Sequence, residues 1–211
     1  MSSERPSILD TVVLLYFLLV GREALLTRLL GAGAPLRVPL AVYDPEERSL
    51  SPEALRHSDL LSEMRQATRH YEVAARSDPA AGELLERVRR VDFLYDGAAL
   101  EVVELSADER LLAARLQSRR TAAEYGIRVP LGPGEAACVA IAFTRGWTIA
   151  TDDNAALTAL GALYGHDYPY ERIRKLLVRA AEEGLVDRAE AREIHDQMRQ
   201  LGFWDSDQLF A

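Results

Sequence analysis

Four carboxylates stand where short apolar segments give way to helices: Asp10, Glu135, Asp152 and Asp153. Asp10 follows Pro6 to Leu9, the Asp152-Asp153 pair follows Trp147 to Ala150 and Thr151, and Glu135 stands behind Gly132-Pro133-Gly134. If the apolar segments are parallel strands, their carboxyl ends share one edge, where ligands bind in open α/β sheets. Several carboxylates gathered there repel one another unless a cation neutralises them. Hard oxygen donors select Mg²⁺ or Mn²⁺, which keep several waters and leave room for phosphate oxygens. Such an ion polarises a phosphodiester, lowers the pKa of its water and holds the attacking and leaving oxygens in line. No side-chain base or nucleophile is then essential. Each acid taken singly has a simpler role. Asp10, Asp152 or Asp153 could be helix N-caps, worth ~1 kcal/mol each, and Glu135 could complement a helix dipole. As a group on one edge they point to a metal site.

The elements needed to position them are legible. A short strand ends near Leu9, and a buried helix then runs towards Leu30 and stops at Gly31-Ala32-Gly33-Ala34-Pro35. Leu36 to Val38 is a second strand, with Pro39 opening a turn or helix. Ser51-Pro52 and Asp78-Pro79 each pair a capping residue with proline at the first helical position. Leu60, Met64, Ala67 and Tyr71 recur at helical steps, as do Leu84, Leu85, Val88 and Val91. Together these predict a helical hairpin over 46–98, added to an α/β core, whose arginines suit a solvated face or a nucleic-acid groove.

Leu100 to Leu105 is a third strand, closed by a capping box at Ser106 to Glu109. After the stretch Gly132 to Ala156 comes a loop from Tyr164 to Tyr170 holding His166 and Asp167. Two last helices cover about Tyr170 to Glu183 and from Asp187, with Glu190 three residues on, to Gly202. Strands alternating with helices predict an α/β fold with a parallel sheet covered on both faces.

Bulk properties narrow the function. The 211 residues suffice for one sizeable domain, and the formal net charge is −8. An acidic chain does not hold nucleic acid by a diffuse positive field, so contact would come from a local arginine patch or through a cation. Lys175 is the only lysine, which removes receiver-domain and restriction-nuclease sites that need one beside the acids, and Thr11-Val12 after Asp10 lacks the Asp-x-Asp that a haloacid-dehalogenase-type phosphatase needs. The single cysteine, Cys138, excludes an intramolecular disulfide and a cysteine-based zinc cluster. His57, His70, His166 and His195 show no metal-ligand spacing. The apolar run Thr11 to Val20 is shorter than the ~20 residues of a membrane span and lacks signal-peptide flanks, so a cytoplasmic protein with no membrane contact is expected.

The motifs also resemble a family. Ile8-Leu9-Asp10-Thr11, Gly134-Glu135-Ala136-Ala137 with Ala140-Ile141-Ala142, and Ile149-Ala150-Thr151-Asp152-Asp153 resemble, in order and spacing, the opening, central and closing acid motifs of PIN domains. Val102-Val103-Glu104-Leu105 and the tail Gly184-Leu185-Val186 with Leu201-Gly202-Phe203 are similar to one subgroup, the predicted nucleic-acid-binding proteins akin to toxin ribonucleases of toxin–antitoxin pairs. The resemblance covers 6–45, 99–163 and the tail. It implies a single PIN-like domain over 1–211, an α/β/α sandwich around a central, mostly parallel sheet of four or five short strands, with the hairpin as an insertion. It implies Mg²⁺- or Mn²⁺-dependent cleavage of RNA, with Asp10, Glu135 and Asp152 or Asp153 as ligands. Thr11, Thr151 and Asn154 would orient them or touch phosphate. A cognate antitoxin is the partner it suggests; a homodimer is the partner in a separate reading, an interaction module whose helical hairpin, Ser51 to Tyr95, mediates dimerisation.

One departure stands out. The family pattern Val-Pro-x-x-Val-x-x-Glu is met here by Val38-Pro39-Leu40-Ala41-Val42-Tyr43-Asp44, with Pro45 where the glutamate would fall. Asp44, Glu46 or Glu47 are the replacement acids nearest to hand, although proline redirects the chain. The alternative is a catalytically weakened or inactive PIN-like module that binds RNA or a protein.

Overall fold

Three buried residues, Ser7–Leu9, form β1 and pair in parallel with β4 (Thr148–Ala150), in the register Ser7 to Thr148 and Leu9 to Ala150. The computed structural model describes residues 5–31, 33–51, 53, 61–165, 168–205 and 209–210. β5 (Tyr170–Glu171) pairs in parallel with β4. β2 (Leu36–Pro39) and β3 (Leu100–Val103) form a second parallel pair. β1 lies beside β2, but the ladder hydrogen bonds divide the described strands into sheets of three and two. The single sheet expected from the sequence is therefore split. Strands of two to four residues carry few ladder bonds, and Pro39 at the end of β2 has no N–H to offer.

Helices connect the strands: α1 (Thr11–Leu19), α2 (Glu23–Leu26), α3 (Glu63–Ala74), α4 (Pro79–Asp96), α5 (Ala107–Gln117), α6 (Pro133–Arg145), α7 (Asn154–Tyr164), α8 (Ile173–Glu182) and α9 (Arg188–Gln200). The architecture is α/β. The local start signals hold where they are described. Asp78 accepts from the Ala80 amide ahead of Pro79, Ser106 and Glu109 close both arms of a capping box, and Asp187 accepts from the Glu190 amide. The long first helix does not hold. It breaks at Gly21, whose φ of +69° suits glycine, and resumes as α2 and a π-helical turn, Thr27–Gly31.

α6 is the core helix. Residues 136–142 are all buried, and it packs on β1, β2 and β4. Its alanines and Cys138 leave room for the strands, and the Cys138 thiol donates to the Leu9 carbonyl at 3.3 Å. α3 and α4 pack together as expected, and α4 also packs on α1. The helix start at Ser51-Pro52, Leu60, His57, His166 and Asp167 involve positions outside the described residues. Tyr164 ends α7 and Tyr170 opens β5, so the expected loop is shorter at both ends. Among the described residues no helix is long and apolar enough to cross a membrane.

Candidate active site

Asp10 is fully buried at the carboxyl end of β1. Its amide donates to the Ala150 carbonyl at 3.0 Å, continuing the β1–β4 pairing by one residue. Its carboxylate accepts from the Thr11 amide at 2.7 Å and from the Thr151 hydroxyl at 2.7 Å. Asp10 is thus both the cap of α1 and a member of the edge. The Thr151 oxygen also accepts from the Asp153 amide at 3.0 Å, which ties the ends of β1 and β4 together.

Glu135 lies in the first turn of α6. Facing it is an acid that the sequence reading missed, Glu63 at the start of α3. The Thr11 hydroxyl donates to Glu63 Oε2, and the Gly134 amide donates to Glu63 Oε1 at 2.8 Å. The glycines around Glu135 explain the close approach. A methyl group at Gly134 would collide with the Glu63 carboxylate; one at Gly132 would collide with Glu135 Oε2 and stand 3.4 Å from Glu63 Oε1. Glycine here leaves space for two carboxylates rather than supplying an unusual backbone angle.

Glu63 reaches this place by a return of the chain. Its amide donates to the Ala41 carbonyl at 3.0 Å, and the Met64 amide donates to the Val42 carbonyl at 3.0 Å. The acid therefore arrives beside the segment where the resemblance expected a glutamate, from about twenty positions later in sequence. None of the proposed replacements joins the cluster. Asp44 caps the 3₁₀ turn Pro45–Ser49 by accepting from the Glu46 amide at 2.9 Å. Glu46 is on that turn. Glu47 is buried and accepts from the Ser62 amide at 2.7 Å and the Ser62 hydroxyl at 2.5 Å. It fixes the residue just before Glu63. One signal could have revealed Glu63: Ser62-Glu63 is an acid behind a capping residue, the same pattern that marked the other candidates.

The Asp152-Asp153 pair divides. Asp153 caps α7, accepting from the Ala156 amide at 2.6 Å, and its charge acts on Glu135. Asp152 is turned away, and its Oδ2 accepts from the Ile173 amide at 2.9 Å to start α8. Neighbouring residues in an extended segment point to opposite sides, which gives the two acids different partners. Asn154 is exposed and accepts from Arg172 at 2.6 Å, so it does not orient the cluster either.

The electrostatics follow from this placement. Burial pushes the Asp10 carboxyl up to about 8, and the charges of Glu135 and Glu63 push the same way against the lowering effect of the Thr151 hydrogen bond. Burial raises Glu135 to about 7, assisted by Glu63 and Asp153. Asp152 rises to about 6, chiefly through burial, with the Ile173 amide and Arg172 opposing. No ion pair to a described basic residue relieves Asp10, Glu63 or Glu135. In kind the donors suit a hard divalent cation, and the paired glycines leave carboxylate oxygens room to approach. As they stand, however, no three carboxylate, imidazole or thiol groups among the described residues close into a metal cage. An ion bound there would complete its shell with water, as Mg²⁺ does.

A comparison of the chain with protein-family models, curated proteins and solved structures finds none that matches.

Proposed function

We propose that the chain is a divalent-cation-dependent hydrolase of phosphodiester bonds in RNA, with a PIN-like site formed by Asp10, Glu63 and Glu135 and flanked by Asp153. The observation that carries this reading is the gathering of three carboxylates, from a strand end and two helix starts, with no basic partner among the described residues. RNA as the substrate class, and a cognate antitoxin as partner, come from the resemblance of the three acid motifs. Glu63 supports the resemblance at the point where the motif itself departs, by bringing an acid to the place that Pro45 vacates.

A bound Mg²⁺ or Mn²⁺ would acidify water and polarise the phosphate. The chain's own residues orient and tune the donors. Thr151 and the Thr11 amide fix the two oxygens of Asp10, while the Thr11 hydroxyl and Gly134 amide fix those of Glu63. The Glu135 carboxyl is pushed up to about 7, so it is the group best able to hold or release a proton near neutral pH.

A non-cutting RNA- or protein-binding module is the second reading. It is favoured by the internal hydrogen bonds that already satisfy Asp10 and Glu63. The test is incubation of single-stranded RNA with the protein and Mn²⁺, beside Asp10→Asn and Glu63→Gln. Cleavage by the parent and not by the variants supports the hydrolase; no cleavage, or equal cleavage by all three, leaves the binding module.

A further inference from the structure

The strands that end at the acids begin at a cavity of opposite character. Its volume is about 630 Å³, and it is lined by Arg5, Arg37, Arg179, Ser7, Thr148 and Glu171 together with apolar residues of the π-helical turn. Ser7 and Thr148 are register partners at the amino ends of β1 and β4, so this cavity and the acid edge are at opposite ends of one strand pair. Strands rise ~3.3 Å per residue, which sets the two regions roughly 10 Å apart along the pair.

The lining carries three guanidiniums and one carboxylate in a chain whose net charge is −8, and Glu101 and Glu183 outside it also pair with Arg37 and Arg179. The three are held differently. Arg179 is fixed to the walls: it donates to Glu171 at 3.0 Å and to the Leu29 carbonyl of the π-helical turn at 2.8 Å, while its buried Nε has no hydrogen-bond partner. Arg37 makes a half-exposed pair with Glu101 at 3.0 Å and covers the Trp147 ring. Arg5 has no ion pair among the described residues. No side-chain hydrogen bond of Ser7 or Thr148 to a described residue occupies their hydroxyls. π-helical turns are rare and recur at functional sites. Here one is a wall, and its Leu29 carbonyl is taken by a guanidinium.

We propose that this cavity binds a small phosphate monoester, with Arg5 and Arg37 on the phosphoryl oxygens, Ser7 and Thr148 adding hydroxyl donors, and Arg179 holding the wall. Guanidinium forks match the oxygens of a phosphate, and Arg5 brings a cation that no carboxylate among the described residues pairs. The volume exceeds what inorganic phosphate fills and lies within the ~300–1,000 Å³ of small-molecule sites. The apolar turn would cover the organic part of the ligand. The site is independent of the acid edge, and its ligand is not the hydrolase substrate.

The test is calorimetric titration in EDTA with adenosine 5′-monophosphate, inorganic phosphate and adenosine at matched ionic strength. Saturable 1:1 binding of the monophosphate, weaker binding of phosphate and none of adenosine are expected. Arg5→Gln and Arg37→Gln should each weaken the monophosphate about tenfold, with folding checked by circular dichroism. Arg5 lies on the exposed segment ahead of β1, so its variant keeps the fold. Asp10→Asn should bind as the parent does, which separates this site from the acid edge. No saturable binding by the parent, binding by both arginine variants as tight as the parent's, or binding of adenosine as tight as the monophosphate would overturn the proposal. So would displacement of the monophosphate by an RNA oligonucleotide lacking terminal phosphates, because the cavity would then be an RNA track.

Discussion

Two buried acid regions of this protein solve the same problem in opposite ways. Glu109, only 1% exposed, receives Arg145 in a two-point pair at 2.7 and 2.8 Å and the Ser106 amide at 2.7 Å. The Arg145 hydrogen bonds hold its carboxyl below the usual range, against the effect of burial. At the edge of β1 and β4, Asp10 is equally buried, yet its partners are a hydroxyl, an amide and other carboxylates, and its pKa rises to about 8. The chain therefore contains the means of neutralising a buried acid and does not use it at the edge. Structural pairing accounts for Glu109. The unbalanced charge around Asp10 is the arrangement expected of a site that takes its cation from outside.

The contrast can be broken at either end. Arg145→Ala leaves Glu109 buried without its cation and should cost about 3–5 kcal/mol of stability, read from urea unfolding. A loss below about 1 kcal/mol would show that Glu109 is better solvated than its burial implies. Asp10→Asn should have the opposite sign in EDTA, raising stability by roughly 1–3 kcal/mol because it removes a charge the fold disfavours; a clear loss would remove the contrast.

Glu63→Gln should lower Mn²⁺-dependent RNA cleavage by more than the ~10–100-fold typical of changes just outside a metal's ligands, with little change in stability. Parent-like cleavage would exclude Glu63 from the site.

The two regions also respond to pH with opposite signs. Asp10 binds its proton more tightly in the fold (about 8) than at its ordinary value of 3.8, and Glu135 does so at about 7 against 4.5. Between those values the folded state holds more protons, so stability falls as pH rises from about 4 to 8. Glu109, whose pKa is lowered, contributes stability above its unfolded pKa that is lost as pH falls. Thermal unfolding between pH 5 and 8 in EDTA should therefore show a declining midpoint, and Mn²⁺ should flatten the decline. A midpoint that rises across this range would contradict the unbalanced edge.

The smallest effect separates neighbours. Asp152→Ala should cost about 1 kcal/mol as a lost cap of α8 and leave cleavage within a few-fold, whereas Asp153→Ala should also reduce cleavage. Equal losses of cleavage would place both acids in the site.

Much of the site was legible because its signals are local. A capping acid, proline at a first turn, and glycine beside Glu135 act within about four residues, so Asp10, Glu135, the Ser106 box and the starts of α4 and α9 can be read directly. Thr11 and Thr151 were also legible as neighbours of the acids, and they do orient them. Asn154 looked similar in sequence but turns outward to Arg172. Glu63 was not legible because its local pattern is an ordinary helix start and nothing nearby says which carboxylates it will meet.

The sequence by itself determined the α/β class, the acid at the end of β1, the acid at the start of α6 and the choice of hard donors without lysine or cysteine. Tertiary structure decided which acids meet. The bonds from residues 63 and 64 back to 41 and 42, with Glu47 holding Ser62, bring the start of α3 to the edge. The direction of the chain after β4 then sends Asp153 towards Glu135 and Asp152 to the amide of Ile173. Both outcomes depend on contacts between segments far apart in sequence, whereas propensity and periodicity describe only neighbours along the chain.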